Sequence, residues 1–108
     1  MMKDFQIQGL EKLANSSAIM DIYPMVDHIK IRDDDYETER GNKRISVDIF
    51  LNDENITKDN MYDMELDPHY LVEYHLKNYF PYFNMDKVVV DFIVWGPDGN
   101  IIYSWNNY

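Results

Sequence analysis

The chain has 108 residues, twenty Asp and Glu against ten Lys and Arg, a net charge of −10 and no cysteine. A length of this order predicts one domain, residues 1–108, with a single core, and an apolar content of 45% with 15% aromatics excludes a disordered acidic tail. The missing cysteines exclude disulfides, thiolate metal sites and a cysteine nucleophile.

In chain order, the first predicted element is a helix over 3–20. Phe5, Leu10, Leu13, Ala14 and Ala18 approximate an apolar stripe. Gly9 weakens its first turn, and Asn15-Ser16-Ser17 can end it early, because their side chains compete for backbone groups. From Met25 the period changes to two. Ile29 and Ile31 alternate with His28, Lys30 and Arg32, as in a half-buried strand. Asp33, Asp34, Asp35, Glu37 and Glu39 follow as an acidic run. Ile45, Val47, Ile49 and Leu51 then alternate with Ser46, Asp48 and Phe50, the clearest amphipathic strand in the chain. A hairpin centred on Gly41-Asn42 places Glu39 opposite Arg44 and Asp35 opposite Asp48. The second pair is repulsive, so the ladder is expected to bulge within the acidic run.

Residues 52–67 are polar and read as a connection with one short helical turn. Asp67-Pro68 is an N-cap followed by proline at the first helical position. The helix should run from Pro68 to Tyr79 or Phe80, stopping before Pro81. Its stripe is Val72, Leu76, Tyr79 and Phe83, and Glu73 and Lys77 make an i, i+4 pair. Val88 to Trp95 and Ile101 to Trp105 are two further strands, and Gly96-Pro97-Asp98-Gly99-Asn100 turns the chain between them. The order is therefore α-β-β-α-β-β. The expected architecture is an α+β two-layer sandwich, an antiparallel four-stranded sheet with two helices on one face.

The charge balance argues against direct nucleic-acid binding, which needs a basic face, and against an anionic membrane surface. The start of the chain is polar and the longest apolar run is strand-sized, so a cytoplasmic protein is expected. Ala is represented only by Ala14 and Ala18, while Asn, Asp, Ile, Lys and Tyr are common. That usage is expected of an AT-rich genome, and small phage or mobile-element proteins share it.

No catalytic or phosphate-cradling motif is present, so no enzyme activity, cofactor or metal is expected. His69 and His75 are six residues apart and do not share a helix face, as a metal pair would require. Two surfaces remain. Tyr70 and Tyr74 lie off the apolar stripe, and tyrosine suits interfaces. From Gly99 to Tyr108 there is no charged side chain, yet Ile101, Ile102, Tyr103, Trp105 and Tyr108 make the segment adhesive. Such a strand is either internal to the sheet or covered by a partner.

The best-supported reading is a small acidic protein-interaction module, an adaptor, inhibitor or small subunit. It would bind a protein partner or itself through Asp33, Asp34, Asp35, Glu37, Glu39, Tyr70, Tyr74, Tyr103 and Trp105. Two alternatives rest on the same carboxylates. A DNA mimic would use them as phosphate surrogates against a basic groove. A metal-dependent protein or enzyme would gather a cation at Asp33 to Asp35.

Overall fold

A computed structural model describes residues 4–37, 43–85 and 87–106. Helix α1 (Asp4–Ala14) ends where Asn15 and Ser16 leave the helical path, and a single turn, α2 (Ser17–Met20), follows. The expected helix over 3–20 is thus two pieces. Its buried residues are Leu10, Ala14 and Ile19, while Ala18 is exposed. Gly9 is explained by close packing. A Cβ there would lie 2.6 Å from Cε1 of Phe83, so any larger residue would force that ring to shift.

Four strands form one sheet in the order β1 (Val26–Glu37), β2 (Lys43–Leu51), β3 (Val88–Trp95), β4 (Ile101–Trp105). β1 and β2 are antiparallel, β2 and β3 are parallel, and β3 and β4 are antiparallel. The sheet is therefore mixed, which corrects the purely antiparallel expectation. The cause is the connection from Leu51 to Val88. It crosses the core face and returns the chain to the starting end of β2, as a helix-bearing crossover does.

The β1–β2 register also differs from expectation. Ile29 pairs with Ile49, Ile31 with Val47, and Lys30 with Asp48. Asp48 therefore faces Lys30, not Asp35. A hairpin centred on Gly41-Asn42 would have set the apolar row of β1 against the polar row of β2. The observed register puts both apolar rows on one face, and burial outweighs a favoured turn dipeptide. The predicted irregularity in the acidic run is present as a register shift between Asp33 and Glu37. Glu39, Gly41 and Asn42 lie outside the described residues, so the expected Glu39–Arg44 pair does too.

The crossover carries the second helical layer. Thr57 and Asn60 cap each other at the start of a short turn, with Asn60 Oδ1 accepting from Thr57 N at 2.7 Å. That turn ends with Leu66 N donating to Met61 O and Glu65 N to Tyr62 O, which puts Glu65 at φ 66°. The predicted cap at Asp67 is observed, with its carboxylate accepting from Tyr70 N at 3.0 Å.

Only Pro68–Tyr70 (α3) is α-helical. Leu71–Leu76 widens into a π-helix and Lys77–Phe83 tightens into a 3₁₀ segment that contains Pro81. The helical path therefore runs past its expected stop, because a 3₁₀ turn accommodates the proline. The i, i+4 ion pair Glu73–Lys77 is formed. Leu71, Val72, Leu76 and Phe80 are buried, whereas Tyr79 and Phe83 pack at the margin. The wider turns move the apolar stripe off α-helical spacing.

The two layers meet over Ile29, Ile31, Ile45, Val47, Ile49, Leu51, Val90, Phe92 and Val94 from the sheet. Leu10, Ile19, Met61, Leu66, Leu71, Val72 and Leu76 supply the other side. Among the described residues no helix is long and apolar enough to cross a membrane.

Candidate functional site

Three surfaces could meet a partner: the sheet face away from the helices, the exposed tyrosines, and the two outer strands. Much of the polar chemistry of the outer face is engaged internally. Asp48 is buried and accepts from Arg32 Nε at 2.7 Å, from Arg32 Nη2 at 3.3 Å and from Trp95 Nε1 at 3.1 Å, which ties β1, β2 and β3 together. Those contacts hold the Arg32 guanidinium charged, its proton affinity raised first by the Asp48 hydrogen bond. Asp34 accepts from Ser46 Oγ at 2.8 Å and faces Arg44 at 3.4 Å and Arg32 at 4.0 Å. Arg44 also faces Asp91 at 3.5 Å.

Beside this polar network runs an apolar row. His28 pairs with Phe50, Phe50 with Trp95 and Trp95 with Ile101, one residue from each strand. The His28 and Phe50 rings stack at 4.5 Å and those of Phe50 and Trp95 at 6.2 Å. The row ends at Ile101, 55% exposed.

Asp33 and Asp34, the first two residues of the acidic run, do not act as a unit. Asp33 pairs with Ile45 on the core face, while Asp34 bonds on the outer face. Successive strand residues point to opposite sides, so these neighbouring carboxylates do not converge. Asp35 and Glu37 belong to β1, and Glu39 lies outside the described residues. No group of three or more histidine and acidic side chains that could hold a metal occurs among the described residues.

The aromatic candidates separate into two clusters. Tyr70 and Tyr74 are about half exposed and stack on each other at 4.7 Å, with His75 edge-on to both. Tyr23 meets the other side of His75, and its hydroxyl pKa is pushed up to about 12 by burial first, then by Asp67 and Tyr70. Tyr103 and Trp105 sit elsewhere, gathered around His69, whose Nε2 is 2.7 Å from the Tyr103 hydroxyl. Their rings pack towards the core, against Phe92. What they leave outward is the backbone of β4.

β4 is an outer strand, and among the described residues no strand lies beyond it. The turn before it sets β4 beside β3. Gly99 N donates to Gly96 O, Gly99 takes φ 84°, and Asp98 accepts from Asn100 N at 3.0 Å. The Asp98 carboxyl is held below its ordinary pKa by the Asn100 backbone and side-chain donors. A cleft of about 340 Å³ opens beside the start of β4, lined by Glu54, Ile56, Lys58, Asp98, Ile101 and Ile102 among others.

The opposite edge differs. The Asn15 side-chain amide donates to Ile29 O and its carbonyl accepts from Ile29 N, both at 2.8 Å. Asn15 thus completes the outward hydrogen bonds of β1 at that residue, as a further strand would. Sequence reasoning read Asn15 as a helix breaker and missed this second role, because its partner is fourteen residues away. It expected Asp48 to face Asp35 and counted Ile101 among the adhesive residues, but the roles of both depend on the register, which it did not have.

No protein-family model, no curated protein and no solved structure matches the chain.

Proposed function

We propose that this protein is a non-enzymatic interaction module that binds another polypeptide by strand addition at β4. The observation that carries the reading is the position of β4: a strand of five residues without a charged side chain, at the edge of the sheet. An edge strand presents a row of backbone donors and acceptors, and proteins without a partner usually guard it with charge, proline or a cover. Here β1 is covered at Ile29 by Asn15 and carries Lys30, Arg32 and the acidic run, whereas β4 has no such guard among the described residues. Main-chain bonds would supply affinity, and the exposed Ile101 and the adjoining cleft would supply selectivity.

The carboxylates favour this reading over a DNA mimic or a metal site. Asp34 is engaged by Ser46 and by two arginines, so its charge is used inside the protein. Asp33 and Asp34 diverge across the strand.

The test is retention of partners from an extract of the native host. Wild-type protein and a Tyr74→Lys variant should retain the same partner, and Ile101→Lys should lose it. Loss with Tyr74→Lys but not with Ile101→Lys would move the interface to the tyrosine pair and overturn the β4 assignment.

A further inference from the structure

The surroundings of β4 select the chemistry of its occupant, an inference that rests on the strand-addition reading. The strand itself is neutral, but the crossover segment beside it is not. Residues 53–67 contain Asp53, Glu54, Asp59, Asp63, Glu65 and Asp67 against Lys58 alone. This segment reaches β4 at the cleft, where Glu54, Ile56 and Lys58 share the wall with Ile101 and Ile102. Glu54 and Asp98 are exposed and both line the cleft at the start of β4, with Lys58 the one cation beside them. The free edge thus begins as an uncharged track with two carboxylates beside it.

A second copy of the chain would bring the same two carboxylates against this one, and like charges beside a shared edge oppose association. An extended segment with cationic flanks would be attracted instead. The outer-face row adds a further requirement. His28, Phe50 and Trp95 lead to Ile101, so an added strand places one side chain next to Ile101 on that face. We propose that β4 receives an extended peptide segment of a basic partner, with an apolar or β-branched residue beside Ile101 and lysine or arginine facing Glu54 and Asp98.

Two labelled nine-residue peptides test this by fluorescence anisotropy. Both have a Val-Thr-Val-Thr-Val centre, one flanked by two lysines at each end and the other by two glutamates. The lysine-flanked peptide should bind at least tenfold more tightly in low salt, and the advantage should shrink as salt is raised. Glu54→Lys should reduce that preference while the protein stays folded by circular dichroism. Ile101→Lys should weaken both peptides. Equal binding of the two peptides, or tighter binding of the acidic one, would overturn the basic-partner inference and leave the edge reading intact. So would a stable dimer in sedimentation that Ile101→Lys dissociates. A protein that is monomeric and binds neither peptide would overturn both.

Discussion

The two outer strands of this sheet solve the same physical problem in opposite ways. Any outer strand exposes backbone donors and acceptors that can pair with another chain. At β1 the problem is met internally: Asn15 leaves the helical path after α1 and gives its amide to Ile29 N and O. The strand is further held by Arg32, which reaches Asp48 on β2, and Asp48 also receives Trp95 from β3. At β4 Tyr103 and Trp105 turn inwards to His69 and Phe92, and no comparable cover is present among the described residues. The contrast teaches that this chain can guard an edge with a single side chain, and that it does so on one side.

The largest expected effect comes from cutting the network that binds β1, β2 and β3. Asp48→Ala should lower stability by roughly 2–3 kcal/mol, the scale of losing hydrogen bonds to a buried charged group, and urea unfolding measures it. Arg32 is half exposed and can rehydrate, which keeps the loss at this level. A change below about 0.5 kcal/mol, the ordinary scatter of surface substitutions, would show that this network does not hold the guarded side.

Removing the guard itself should cost somewhat less. Asn15→Ala should lower stability by about 1–2 kcal/mol and speed hydrogen exchange at the Ile29 amide, since a satisfied backbone pair is left to water. Unchanged exchange at Ile29 would break the comparison at its guarded end.

A smaller, pH-dependent effect belongs to Tyr23, which precedes β1. Its folded pKa is raised to about 12 by burial first, then by Asp67 and Tyr70. An unfolded tyrosine ionises near the usual value of about 10. The stabilisation is therefore complete below the unfolded value and is lost as pH rises from there through the folded one. The urea midpoint should fall across that window, and Tyr23→Phe should fall less. Parallel curves for the two proteins would contradict this.

The smallest effect on stability is expected at the unguarded edge. Ile101→Lys should change stability by less than about 0.5 kcal/mol, because Ile101 is exposed and its loss leaves no cavity. A large destabilisation would mean that Ile101 is structural, and the variant would no longer isolate binding.

Much of this arrangement is legible in the residues. The alternation over 45–51, the Asp67-Pro68 helix start and the Gly96–Gly99 turn all encode local geometry, and each is observed. The direction of β2 relative to β3 is not legible, because period-two alternation is the same for parallel and antiparallel neighbours. The register of β1 on β2 was open to a parity argument. Pairing Ile29 with Ile49 requires a hairpin centred away from Gly41-Asn42, so the apolar rows and the turn dipeptide favour different registers. The π-helical widening at Leu71–Leu76 leaves no mark in the residue types. Of the candidate site, the charge-free end was visible as adhesive, but its place at the edge was not. Strand order depends on the crossover, and the sequence alone does not say which side of the sheet it closes.

The most direct test of the difference between the edges is an amide-resolved NMR titration with the lysine-flanked peptide. The account predicts that amides of Ile101 to Trp105 shift and gain protection from exchange, while those around Ile29 stay unchanged. Changes at β1, or changes confined to Tyr70 and Tyr74 with β4 unmoved, would contradict it.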